Sequence, residues 1–131
     1  MNKTKNEAGV SMIEFALVLP FLILILFGVI QYGWLFGAKL SLMNTTASAA
    51  RFSTVGAPRP TETEIRQMFM ANLIAPVQTN DVQSVTVTEN VNGVVDLREV
   101  KAVAKIKLFL PFVVPSNNNG FVTLTEIAKM R

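Results

Sequence analysis

The pattern of hydrophobic and polar positions divides the chain into two parts. The first contains one long apolar run, and in the second apolar residues recur at helical spacing or alternate with polar ones. Residues 15–38 carry no charged side chain. As a helix, a segment of about 24 residues would be about 36 Å long, which exceeds the hydrocarbon thickness of a bilayer, about 30 Å. Few helix-breaking residues follow before Gly56 and the prolines after it. The pattern predicts a transmembrane helix that continues out of the membrane as a stalk.

Three features of this helix differ from plain apolar sequence. Glu14 lies at the beginning of the apolar run, where a carboxylate is costly and so indicates a function. Pro20 lies near the start, where a mild kink is tolerated. Gly33, Gly37 and Ser41 are spaced four residues apart and form a flat stripe, which predicts a possible packing face for another helix.

A short amphipathic helix is predicted next. Thr61 and Glu64 have the spacing of a capping box, with Thr61 as the N-cap. The apolar residues that follow at helical spacing are Ile65, Met68, Phe69 and Leu73. The helix should end before Pro76, and its apolar face is predicted to be a core face.

The rest of the chain has the alternating pattern of strands. Residues 82–89 alternate and are rich in β-branched side chains, and Asn92-Gly93 is a strong hairpin signal. In the predicted second strand, residues 94–109, one face carries Ala102, Ala104, Ile106 and Leu108 and the other carries Lys101, Lys105 and Lys107. After a loop at residues 111–120, residues 121–130 alternate again. We expect an α+β fold in which a short helix covers a roughly three-stranded antiparallel sheet.

Composition removes several classes of function. The chain contains no Cys and no His, which excludes disulfides, thiol nucleophiles, imidazole ligands and a Ser-His-Asp triad within it. The net charge of +3 is not clustered, so no nucleic-acid partner is expected. Glu89, Asp96 and Glu99 surround the hairpin without the spacing of a calcium loop, and we interpret them as solvated charges. We therefore expect no enzyme activity, no cofactor and no metal.

Other interpretations of the apolar run stay open. A cleaved secretory signal would need a shorter apolar core, with a small-residue triplet closer to it than residues 47–49. A buried helix of a soluble protein would need more chain to enclose it than is present. A plain signal anchor, inserted and left uncut, remains a direct competitor.

The junction ahead of the helix carries a resemblance to a known family. Gly9 is followed after four residues by Glu14 and Phe15, which is similar to the processing site of type IV prepilin-like proteins. The longer string MIEFALVLPFLILILFGVIQYGWLFGAKLSLMNTTASAARFSTVG resembles the amino-terminal signature of TadE-like proteins, minor pseudopilins of the Flp (tight-adherence) pilus apparatus.

The resemblance implies a division of the chain and a topology. Residues 1–9 would be a leader, cut between Gly9 and Val10 on the cytoplasmic side by a prepilin peptidase. Residues 10–56 would be the transmembrane helix and stalk. Residues 57–131 would be a small α+β domain outside the bacterial inner (cytoplasmic) membrane.

The resemblance also implies roles for single residues and partners. Glu14 and Phe15 would form the processing and assembly motif, and Pro20 matches a proline of the family. The cut would give Val10 a free ammonium group, which Glu14 of a neighbouring subunit could pair with. The implied partners are the peptidase, other pilus or pseudopilin subunits, the Flp secretion machinery and membrane lipid. The rival hypothesis is a signal-anchored extracytoplasmic binding module that is not cleaved.

Overall fold

The computed structural model of the protein describes residues 3–91, 96–110 and 120–130. Its helices and strands are α1 (Lys3–Ser53), α2 (Glu62–Ala71), β1 (Val82–Val91), β2 (Asp96–Lys107) and β3 (Phe121–Met130). One turn of 3-10 helix, Thr79–Asp81, precedes β1. The expected α+β class is confirmed: a long apolar helix is followed by a short helix and a three-stranded antiparallel sheet.

Helix α1 is continuous over 51 residues and runs through Pro20. It ends at Ser53, whose hydroxyl donates a hydrogen bond to the carbonyl of Ala50 at 2.6 Å. Gly56 then adopts a φ of 103°, a left-handed conformation that glycine reaches without the steric cost of a Cβ. The helix therefore continues past the apolar run, as predicted, and ends just before the glycine that the sequence indicates.

Helix α2 begins with the predicted capping box. The amide of Thr61 donates to Oε2 of Glu64 at 2.7 Å, and the amide of Glu64 donates to Oγ1 of Thr61 at 3.4 Å. The backbone hydrogen bond from Thr61, followed by the bond from its hydroxyl, lowers the pKa of Glu64. Ile65 and Phe69 are buried, so the apolar face of α2 is a core face, as predicted.

The strands lie in the order β1-β2-β3, and both pairs are antiparallel. All three predicted strands are present, although β2 is shorter than the predicted 94–109. Near its end the buried residues are Ala102, Ala104 and Ile106, and the exposed ones are Lys101, Lys105 and Lys107, in agreement with the alternation. The predicted Asn92-Gly93 turn and residues 111–119 lie outside the described residues.

The core is formed by the second half of α1, by α2 and by one face of the sheet. Helix α1 supplies Ala38, Leu42, Ala49 and Ala50, which are all fully buried. Three of these side chains are single methyl groups, which let the helix approach the sheet closely. The predicted stalk is therefore one wall of the core as well as a helix. The division of the chain at residue 57 stays a prediction.

Arg98 on β2 fixes the connection between the two helices. Its Nη1 donates to the carbonyls of Ser53 at 2.8 Å and of Pro60 at 3.1 Å, and its Nη2 pairs with Glu89. Glu99 pairs with Lys129 across the sheet at 3.0 Å. Glu89 and Glu99 thus have cationic partners in addition to solvent.

We expect Ala49→Leu to destabilise the sheet, although residue 49 lies in α1. Overpacking a filled core typically costs about 1–3 kcal/mol. Hydrogen exchange of the β2 amides in detergent micelles measures the loss. Ser48→Leu, which adds its side chain at an exposed position, is the matched control and should change stability by no more than about 0.5 kcal/mol. Equal exchange in the two variants would contradict a structural role for this part of α1 in the core.

Candidate functional site

The residues of the predicted processing site lie together on the exposed first part of α1. Val10 and Phe15 are 56% and 61% exposed, and Glu14 is exposed between them. A Cβ built on Gly9 meets nothing within 4 Å. Glu14 lies one helical turn beyond Val10, about 6 Å along the axis. Among the described residues Glu14 has no hydrogen-bond or ionic partner. The segment is open to an external enzyme or subunit.

The apolar surface of α1 has no partner within the described chain over residues 10–30. Except for Leu19, which is partly buried, its large apolar side chains are exposed by 42% to 77%, from Ile23 to Met12. By length and composition, Gly9–Ser53 qualifies as a helix that could cross a membrane, and its 18-residue apolar window has a mean hydropathy of 2.8. A continuous apolar surface of this size requires lipid or another helix.

Among the described hydrogen bonds, the first that joins α1 to a distant part of the chain is made by Gln31. Its Nε2 donates to the carbonyl of Leu110 at 2.8 Å, and its Oε1 accepts from the amide of Leu110 at 2.6 Å. The Gln31 residue is only 2% exposed. One turn later the ring of Trp34 packs edge-on against Phe109, with centroids 6.0 Å apart. Sequence reasoning missed Gln31, since it counted charges in the apolar run; a lone amide there was the available signal.

The predicted stripe of small residues has a neighbour in the same chain. A Cβ on Gly37 would lie 3.6 Å from Cδ of Pro76. The hydroxyl of Ser41 donates to the carbonyl of Ile74 at 2.5 Å and accepts from its amide at 3.3 Å. Gly33 has nothing within 4 Å of its added Cβ. Packing of another helix on the stripe stays a prediction, and of the three positions Gly33 is the most open to it.

A groove of about 410 Å³ lies beside Trp34 and Phe109, and its polar wall is formed by Gln78, Asp81 and Lys107. This wall offers no nucleophile paired with a base. The described residues also contain no group of three or more His, Cys, Asp or Glu that could hold a metal ion.

Comparison with known proteins shows a family resemblance in the first half of the chain. Residues 9–51 match the family model of TadE-like proteins. The resemblance to the TadE-like family is confirmed. The TadE-like segment begins at Gly9 and includes both the exposed part of α1 and the part that packs on the sheet. No curated protein and no solved structure matches the chain.

The helix that contains the TadE-like match has the properties of a membrane anchor. A long helix whose apolar first part is unpartnered within the described chain suits a membrane anchor that associates with other helices or lipid. The match ends at Arg51, so α2 and the sheet lie beyond it.

We expect Gln31→Leu to loosen the contact between α1 and Leu110. The substitution removes both hydrogen bonds and leaves the part-buried amide and carbonyl of Leu110 unpaired, at a cost of up to about 1–3 kcal/mol. Hydrogen exchange at the Leu110 amide, followed by NMR in micelles, should become faster. Tyr32→Leu, which changes the exposed neighbouring residue, is the control and should leave this amide protected. Unchanged protection in Gln31→Leu would contradict the role given to the side chain.

Proposed function

We propose that this protein is a TadE-like minor pseudopilin that acts structurally in the assembly or priming of an Flp-type (tight-adherence) pilus. A prepilin peptidase would first remove residues 1–9. The observation that carries the proposal is that the TadE-like match begins at Gly9, in the first turns of a helix whose predicted processing motif and apolar surface are exposed. The TadE-like match supports the role in a pilus. The exposure of the helix around Gly9 supports access of the peptidase to the cleavage site.

Cleavage after Gly9 is consistent with the local structure. The scissile bond lies in the first turns of α1, so part of the helix has to open in the peptidase. Glycine is about 1 kcal/mol less favourable than alanine in a helix, which lowers the cost of opening at that point. Because an added Cβ meets nothing, fold packing gives no reason for a glycine at position 9. Recognition by the peptidase supplies such a reason.

Glu14 gives the processed protein a means of association. Cleavage would place an ammonium group on Val10 at the start of the helix, next to the edge of the bilayer. A carboxylate in the first turns is favourable for the helix dipole, but near lipid it still needs a cationic partner. The amino terminus of an adjacent subunit would neutralise both charges and set the axial offset between subunits.

The proposed topology follows from the processing site. The peptidase acts on the cytoplasmic side, so the amino terminus faces the cytoplasm before cleavage and the sheet lies outside the bacterial inner membrane. The partners of the helix are membrane lipid and other pilus or pseudopilin subunits, and the Flp secretion machinery is the partner in assembly. The rival function, an uncleaved anchored binding module, is an outcome of the test below.

In cells that contain the peptidase, the membrane-extracted protein should begin at Val10. Gly9→Val should retain the leader, because a branched side chain next to the scissile bond obstructs the peptidase without disturbing the fold. Gly33→Val is the matched control, since its added Cβ also meets nothing within 4 Å, and it should be processed normally. Mass spectrometry of the intact protein measures each terminus. An uncut wild-type chain would overturn the pseudopilin proposal in favour of the anchored module.

Glu14→Gln should be processed but assemble poorly. The neutral amide cannot pair with an ammonium group, and the loss of one charged partner where water is scarce should reduce the assembled fraction by about tenfold or more. Co-purification with the other pilus subunits after crosslinking measures assembly. Glu62→Gln, which removes an exposed acid in α2, is the control and should assemble normally. Normal assembly of Glu14→Gln would contradict the charge pairing but not the cleavage.

A further inference from the structure

Two apolar residues that follow β2 lie against α1, where the exposed apolar part of that helix ends. Leu110 is hydrogen-bonded to Gln31, and Phe109 packs on Trp34. We call Trp34, Phe109 and Leu110 the aromatic tip. We propose that the aromatic tip is inserted into the outer headgroup and acyl boundary of the membrane, so that the sheet domain is bound to lipid directly. This inference rests on the proposed membrane-spanning role of α1.

The position of the aromatic tip along α1 corresponds to the outer edge of the membrane. With Glu14 at the inner edge, a hydrocarbon layer of about 30 Å corresponds to about 20 helical residues, which places the outer edge near residue 34. Gln31 and Trp34 therefore lie at that edge, and their contacts hold Leu110 and Phe109 at the same level. The end of β2 is at membrane depth because of its contacts with the helix.

Backbone groups in the segment that follows β2 have hydrogen-bond partners within the protein. Irregular backbone is excluded from lipid unless its polar groups have partners inside the protein. Leu110 follows the end of β2, and both its amide and its carbonyl are paired with the side chain of Gln31. The amide of Leu108 donates to the carbonyl of Gly120 at 2.9 Å. These bonds remove the main obstacle to placing the segment at the edge of the hydrocarbon.

The side chains at the aromatic tip have the chemistry of a membrane interface. Phe109 is 71% exposed although it is apolar, and Trp34 beside it is 46% exposed. Aromatic side chains favour the membrane interface, and the exposed cation of Lys107 next to the tip suits the headgroup layer. In the sequence, residues 111–125 carry no charge. Lipid is the occupant whose chemistry fits, because the apolar surface of the tip is continuous with that of α1.

Spin labels on single cysteines test the inference, since the chain contains no native Cys. The full-length protein is reconstituted in vesicles of phosphatidylethanolamine and phosphatidylglycerol, and collisions of each label with oxygen and with a water-soluble nickel chelate are measured. Phe109→Cys reports on the tip. Val55→Cys, at a residue that is 66% exposed beyond α1, is the aqueous control, and Phe21→Cys, at a residue that is 67% exposed, reports on the spanning helix.

We expect the label at Phe109 to be shielded from nickel at a depth of about 5–10 Å, with the label at Phe21 deeper and the label at Val55 in water. A Phe109 label as accessible to nickel as the Val55 label, with the Phe21 label in lipid, overturns this inference alone. A Phe21 label in water overturns the membrane anchor as well.

Varying the protein-to-lipid ratio distinguishes two ways in which the aromatic tip could be shielded, by lipid or by a second copy of the protein. Shielding at Phe109 that is independent of the protein-to-lipid ratio supports lipid contact. Shielding that disappears on dilution means that another copy covers the tip, which overturns the inference. In a Gln31→Leu background, nickel accessibility at Phe109 should rise toward that of Val55 while the Phe21 label stays deep.

Discussion

The paired hydrogen bonds between Gln31 and Leu110 mark the point where α1 passes from one environment to another. Before Gln31 nearly all of the described apolar side chains of the helix are exposed, and after it one face is packed on the sheet. A buried amide so close to lipid is tolerated only when both of its polar atoms have partners. Because the backbone of Leu110 supplies both partners, one uninterrupted helix can have a lipid-compatible half and a folded half.

Packing of α1 against the sheet has a mechanical consequence. A flexible stalk would let the outer domain move independently of the membrane helix, but Ala49 and Ala50 are fully buried in the core. Arg98 further ties β2 to the end of α1 and to the chain leading into α2. A displacement of α1 during assembly would therefore carry the sheet with it. Such rigid coupling suits a subunit whose position is set by contacts of its helix.

Much of the fold could be predicted because its signals are local. The capping box at Thr61, the apolar face of α2 and the alternation along β2 each depend on neighbours in sequence. The packed part of α1 could not, since Ala, Ser and Thr give little contrast between its faces. The partner of Gln31 also lies 79 residues away, so no local pattern indicates it. At the candidate site, the motif at Gly9 and Glu14 is a prediction from adjacent residues, while the contact of Ser41 with Ile74 required the tertiary structure.

Glu14 and Gln31 border the apolar part of the helix, and they differ in whether their side chains have partners. They are separated by about 26 Å along the axis, close to the thickness of the hydrocarbon layer. Gln31 has both partners within its own chain. Glu14 has none among the described residues, although a carboxylate loses more than an amide when water is excluded. Among the described residues, the outer border of the apolar part is therefore paired within one subunit, whereas the carboxylate at the inner border is not. Under the proposed cleavage, the amino terminus of an adjacent subunit would supply a cationic partner for Glu14, so that both borders would be paired in the assembly.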